Sequence, residues 1–275
     1  MRQRAISFLI TLCALALAAT GAAAQTPVDL ELVLAVDVSL SMDLDEQRLQ
    51  RDGYIAAFRD PEIHKAIGSG GYGRIAVTYV EWAGQLSQQV VIPWTLIDGP
   101  AAANSFAADL EQRPISRLRM TSISGAMLFA AAQFEQTPYK GVRRVVDISG
   151  DGPNNSGAPV TIAREQLLSK GIAINGLPIM LKQGTRSGFF DISALDAYYR
   201  DCVIGGAGAF MVTITDHNEF IPATRRKLLL EIASAATAPP PLLLRTQATG
   251  QEEGTTDCMI GERLWQRYMD GRFPN

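Results

Sequence analysis

The apolar run Leu30-Glu31-Leu32-Val33-Leu34-Ala35-Val36 ends directly on Asp37-Val38-Ser39-Leu40-Ser41. Its length and β-branched content fit a parallel strand buried on both faces. Such a strand needs strand neighbours on both sides and helices above and below, which commits the chain to a layered α/β architecture. It also delivers a carboxylate and two hydroxyls to the carboxyl end of a strand, where open α/β sheets bind their ligands. A cluster of oxygens at that place suits a hard divalent cation such as Mg²⁺, with water completing the octahedron.

The rest of the chain alternates strand-like and helix-like segments, so a doubly wound, mostly parallel α/β sheet is expected. Asp43, with Glu46 three residues on, caps a helix running to Phe58 whose Tyr54, Ile55 and Phe58 face inward. Gly68–Gly73 reads as a flexible connection. It precedes a strand and has no following Lys-Ser or Lys-Thr, whereas a phosphate loop follows a strand and opens a helix. Arg74–Trp82 reads as a strand buried on both sides, and Gln89–Ile92, stopped by Pro93, as a short antiparallel edge strand. Helices are expected around Ala101–Glu111 and Ser124–Gln136, a strand at Arg143–Ser149, and a helix from Pro159 to Lys170 stopped by Gly171. A strand at Ile172–Ile179, a short helix at Asp191–Tyr199, a last strand at Ala209–Thr213 and a last helix at Glu219–Ala235 follow.

Residues 1–24 carry Arg2 and Arg4, an apolar stretch from Ala5 to Ala19 and the small residues Gly21-Ala22-Ala23-Ala24. This is the pattern of a cleaved secretory signal, and the stretch is shorter than the roughly 20 residues a spanning helix needs. A periplasmic or secreted protein with no membrane span in the mature chain is therefore expected. Removing the two arginines takes the formal charge from −3 to −5. That mild charge argues against nucleic acid as a partner. Residues 25–237 form one domain and residues 238–275 a tail, divided by Ala238-Pro239-Pro240-Pro241. In the tail, Ile260, Leu264, Trp265 and Tyr268 share one face of a short helix. Cys202 and Cys258 remain after signal removal, and in an oxidising compartment they are expected to pair and staple the tail to the domain.

Two strand ends carry acids, Asp37 and Asp151, the latter in Gly150-Asp151-Gly152-Pro153-Asn154-Asn155. Met120-Thr121-Ser122-Ile123-Ser124-Gly125 adds a polar loop ahead of the helix that leads to the Asp151 strand. Alone, Asp-x-Ser-x-Ser is a helix cap and Asp-Gly an ordinary turn; the conjunction of three loops favours metal binding. In order and spacing these loops resemble the metal-ion-dependent adhesion site of von Willebrand factor A domains, over roughly residues 29–236. The segments Val77–Trp82, Asp147–Asn155 and Leu195–Cys202 also resemble a bacterial exported family in that superfamily, DUF1194, whose function is not established.

The resemblance implies a Rossmann-like fold and a divalent cation, Mg²⁺ in first place with Mn²⁺ and Ca²⁺ as alternatives. Ser39, Ser41 and Thr121 would contribute hydroxyls, and Asp37 and Asp151 would ligate directly or through water. Ser122, next to Thr121, is the alternative hydroxyl from that loop. One open coordination position would attract an acidic group of a protein partner. The expectation is thus a monomeric binding module and not an enzyme. The competing readings are a metal-assisted hydrolase at the same site and a structural metal with binding elsewhere. Against a hydrolase, there is no Gly-x-Ser-x-Gly elbow, and His64 and His217 read as ordinary surface histidines. Asp147 reads equally as a residue supporting the metal ligands or as a buried structural acid, and Asn154 and Asn155 as turn formers.

Overall fold

Five strands, β1 (Thr26–Asp37), β2 (Ile75–Trp82), β3 (Gln88–Ile97), β4 (Tyr139–Gly150) and β5 (Ala173–Pro178), form one sheet in the order β3-β2-β1-β4-β5. Every pairing is parallel except that of β3 with β2. The computed structural model describes residues 24–181, 192–233 and 256–271. The apolar stretch expected to be a signal, Asp191, Ser234-Ala235 and the proline-rich segment expected to be a linker lie outside the described residues. No helix among the described residues is long and apolar enough to cross a membrane.

β1 is central because both its faces are apolar. Val33 and Ala35 point into a core built with α4 (Ile123–Gln133) and α5 (Val160–Ser169). Leu30, Leu32, Leu34 and Val36 point into the opposite core, built with α1 (Leu44–Phe58), α3 (Pro100–Glu111) and α7 (Phe220–Ala233). The period of two along a strand sends alternate residues to the two cores. Each fully buried Leu or Val there stabilises the fold by about 1.5–3 kcal/mol. β1 turns one way to β2 and, through β4, the other way, so the sheet's topological switch lies between β1 and β4.

Asp43 caps α1 as its sequence indicates. Its carboxylate accepts from Asp45 N and Glu46 N, while Glu46 accepts from Asp43 N. Three features depart from expectation. A helix, α2 (Pro61–Gly68), follows α1 at once, capped by Asp60 with Pro61 in its first turn. The edge strand β3 is longer than expected and passes through Pro93. A shift of pairing between Val77 and Tyr79 absorbs the residue that cannot donate, and the Thr78 hydroxyl bonds Ile92 O at 2.8 Å. Ala209–Thr213 makes only isolated bridges beside β5, such as Gly176 with Met211. The Asn175 side chain accepts the Phe210 N–H that a continuous ladder would use.

The Gly68–Gly73 connection is tied rather than slack: Asp29 accepts from Tyr72 N at 2.9 Å and from Arg74 N at 3.2 Å. Asp147 proves to be a structural acid on the α7 face. Lys227 of α7 pairs with Asp147 at 2.6 Å and Glu231 at 2.7 Å, all three buried, and Asn175 donates to Glu231 at 2.6 Å. Burial pushes the Asp147 carboxyl up to about 6 against the opposing pull of Lys227. Burial alone would lower Lys227, but the two carboxylates outweigh it and hold the ammonium charged. The short helix α6 (Leu195–Tyr198) runs into one wide turn at Tyr199–Val203, from which Cys202 bonds Cys258 ahead of α8 (Ile260–Met269).

Candidate metal centre

The β1–β4 pairing sets Val36 beside Ser149 and carries Asp37 alongside Gly150 at the carboxyl edge of the sheet. Asp37 is fully buried. Its Oδ1 accepts from Ser39 N at 2.7 Å, which folds the Asp-x-Ser-x-Ser segment back over the strand end. The Ser39 and Ser41 hydroxyls lie 2.8 Å apart, and Ser41 donates to Asp151 Oδ1 at 2.6 Å. Asp37, Ser39, Ser41 and Asp151 thus form one continuous group of oxygens, as the sequence indicated. Among the described residues Asp37 Oδ2 has no hydrogen-bond partner, nor has the buried Tyr199 hydroxyl. Both crowd one face of Gly150, where an added Cβ would stand 2.9 Å from Asp37 Oδ2 and 3.0 Å from the Tyr199 oxygen. Only glycine leaves that space. Burial, followed by the Asp151 carboxylate, drives the Asp37 carboxyl well above its ordinary range, with hydrogen bonds from Ser39 and from the Asp151 backbone in opposition.

The third loop is held against the other two. Leu118 N donates to Val38 O at 3.0 Å, and Ser122 N to Ala83 O at 2.7 Å. Arg51, paired with Glu81, donates to Arg113 O, and Arg117 reaches Met42 O at 3.2 Å. Met120 adopts a left-handed conformation with φ 72°, the only non-glycine to do so among the described residues. For a residue with a Cβ this costs about 1–2 kcal/mol, and it redirects the chain so that Thr121 and Ser122 face different partners. Ser122 is committed to structure: it caps α4 by accepting from Gly125 N at 3.1 Å and donates to Ser156 O at 2.7 Å. That leaves Thr121, buried in the same loop, as the candidate hydroxyl.

Asn154 and Asn155 do far more than form a turn. Asn155 Oδ1 accepts from Thr121 N at 2.9 Å while Asn155 N donates to Thr121 O at 2.8 Å. Asn154 Oδ1 accepts from Ser124 N at 3.0 Å. Two adjacent buried asparagines therefore stitch the Thr121 loop and the start of α4 to the Asp151 loop. Sequence reasoning missed them, as it missed Tyr199 and Glu262. The available signal was the placing of two amides immediately after Asp-Gly-Pro, where one turn former would suffice. The histidines lie elsewhere: His64 bonds Phe58 O at 2.7 Å, and His217 sits in a single 3₁₀ turn before α7.

Among the described residues no cluster of three or more His, Cys, Asp or Glu side chains could hold a metal. The donors here are instead two carboxylates and neutral hydroxyls, a set that suits Mg²⁺, Mn²⁺ or Ca²⁺ better than a thiolate-seeking ion. The unpaired Asp37 oxygen and the repulsion between Asp37 and Asp151 are what a cation in this crevice would relieve. The residues fit such an ion.

A family model described as "Protein of unknown function (DUF1194)" matches residues 27–236. No functionally curated protein matches the chain. Among solved structures, proximal thread matrix protein 1 from the mussel byssus, with a zinc-occupied MIDAS motif, is 13% identical. That match covers 76% of this chain and 46% of that one, with a TM-score of 0.52. A von Willebrand factor type A structure from Catenulispora acidiphila is 14% identical over 74% of this chain and 43% of that one, TM-score 0.52. The pilus adhesin SpaC from Lactobacillus rhamnosus GG, in its open conformation, is 11% identical over 75% and 30% respectively, TM-score 0.54. The chain spans less than half the length of each of these proteins. At such identities the likeness is one of fold, that of the von Willebrand factor A domain.

Proposed function

Because the chain belongs to DUF1194, a family of proteins of unknown function, membership brings no activity with it, and we propose from the crevice itself that this is a metal-dependent protein-binding module. The carrying observation is the fully buried Asp37 carboxylate, whose Oδ2 is unpaired beside the Ser39–Ser41–Asp151 group of oxygens. Ser39, Ser41 and Thr121 offer neutral oxygens, and Asp37 and Asp151 supply the negative charge. A divalent cation held there, Mg²⁺ in first place, supplies a positive centre for an acidic group of a partner. The zinc reported in the mussel protein makes Zn²⁺ a competitor worth titrating alongside Mg²⁺ and Mn²⁺.

The rim favours a protein as the source of that acid. Leu40, between the two serines, is 45% exposed, and Leu118, bridged to Ser39, is 37% exposed. Arg117 and Arg119 flank Leu118 on the surface. Exposed leucines around a polar centre suit burial under a protein surface, and the arginines add attraction for a carboxylate. The leader-like pattern of residues 1–24 supports a module of the periplasm or the cell exterior, and a monomer is the simplest assembly for it. Hydrolysis at the same site is the weaker reading, since among the described residues neither histidine is bonded to the five site residues. The test is retention of a partner by immobilised protein: capture reversed by EDTA, restored by Mg²⁺ and lost in Asp151→Ala supports the reading. Capture indifferent to both EDTA and the substitution would contradict it.

A further inference from the structure

The C-terminal helix α8 lies beyond the residues that the family model matches, yet it is bonded to the loop that carries Asp151. Cys258, immediately before α8, is joined to the buried Cys202. Thr256 hydrogen-bonds Asp201, and Ile260 packs against the core under α4 and α5. These ties bring Gly261 so close to the Asn154 backbone that an added Cβ would stand 2.1 Å from Asn154 O. Glu262 then accepts from Asn154 Nδ2 at 2.7 Å.

Asn154 is consequently held on every polar atom of its side chain. Nδ2 donates to Glu262 and, at 3.1 Å, to Ala158 O, which leaves Oδ1 turned to Ser124 N. Its backbone N donates to the Tyr198 hydroxyl at 3.2 Å. The next residue, Asn155, grips Thr121 through both its backbone and its amide oxygen. A chain of contacts therefore runs from the disulfide through α8, Glu262 and the two asparagines to the Thr121 loop. Apart from Thr121, at which it ends, none of its members lies among the five oxygen donors.

We infer that Asn154, Asn155 and Glu262 are positioning residues of the metal centre, and that the disulfide-anchored tail helix is a working part of it. The inference rests on the metal-binding reading of the crevice. Groups that orient metal ligands from behind commonly change affinity 10–100-fold when removed. Glu262 acts through a hydrogen bond that glutamine can also accept, so charge is not required of it.

The experiment measures Mn²⁺ affinity by calorimetry and amide exchange of Thr121, Ser124 and Asn155 in the metal-free protein. It compares the parent with Glu262→Ala, Glu262→Gln, Gly261→Val and the Cys202→Ser/Cys258→Ser pair. The expected result is about tenfold or greater weakening of Mn²⁺ binding and faster exchange of the three amides in Glu262→Ala, Gly261→Val and the cysteine pair. Glu262→Gln should retain parental affinity and exchange. Parental affinity together with parental exchange in Glu262→Ala and Gly261→Val would overturn the proposal. Should the parent bind no Mn²⁺, the metal reading fails on its own. Exchange then still decides the clasp: acceleration in Glu262→Ala with rescue by Glu262→Gln upholds it, and no change rejects it.

Discussion

Replacing Asp37 with asparagine should strengthen the metal-free protein while abolishing its response to metal. The native carboxylate is fully buried, its Oδ1 uses the Ser39 N–H, and its Oδ2 has no hydrogen-bond partner among the described residues. Leaving a buried polar group unsatisfied costs about 1–3 kcal/mol, more when it is charged and another carboxylate is close. Asparagine keeps the shape and the bond to Ser39. It also replaces the bare oxygen with a donor on the side where the Tyr199 hydroxyl lacks a partner. Metal-free Asp37→Asn should therefore be more stable than the parent by about 1–3 kcal/mol. Mn²⁺ at a hundred times its dissociation constant should raise the parent by about 2.7 kcal/mol and leave the variant unmoved. Guanidinium denaturation in EDTA and in Mn²⁺ reads both quantities. A variant weaker than the parent in EDTA, or one stabilised equally by Mn²⁺, would refute the reasoning, because Asp37 would then be held by protein contacts alone.

Other substitutions probe the scaffold. Lys227→Met leaves Asp147 and Glu231 buried without their cation and should cost about 3–5 kcal/mol at neutral pH. Losing Lys227 raises the folded-state carboxyl pKa further above the unfolded value. Stability of the variant is then present at low pH and lost as pH rises through that value, so urea melts should show the deficit shrinking toward pH 5. A deficit independent of pH would contradict the triad. Gly150→Ala inserts a methyl 2.9 Å from Asp37 Oδ2 and should weaken Mn²⁺ binding in calorimetry by roughly tenfold or more. Reducing Cys202–Cys258, 56 residues apart, should lower stability by up to about 4 kcal/mol in a denaturant titration with and without reductant.

The β1 strand, the Asp43 cap and the tail helix were legible because each is written locally, in an apolar run, a capping pair and an i, i+4 stripe. The convergence of Asp37 and Asp151 was legible only conditionally, since it needs β1 and β4 to be neighbours, which no local pattern states. Helix α2 was missed although Asp60 and Pro61 carry its start, because eight residues are too few for an apolar stripe to stand out. The Ala209–Thr213 segment has strand-like residues, but a side chain from β5 takes one of its ladder donors. Asn154 and Asn155 carry the same letters as any turn. Their work depends on partners 30 and 34 residues earlier and, through Glu262, 108 residues later. Spacings of that kind are set by tertiary packing.

The most direct test of the account is calorimetric titration of Mg²⁺ and Mn²⁺ into the metal-stripped protein beside Asp37→Ala and Asp151→Ala. Saturable binding is expected in the parent and none in either variant, with all three folded by circular dichroism. A folded parent that takes up neither ion, or variants that bind as the parent does, would contradict it.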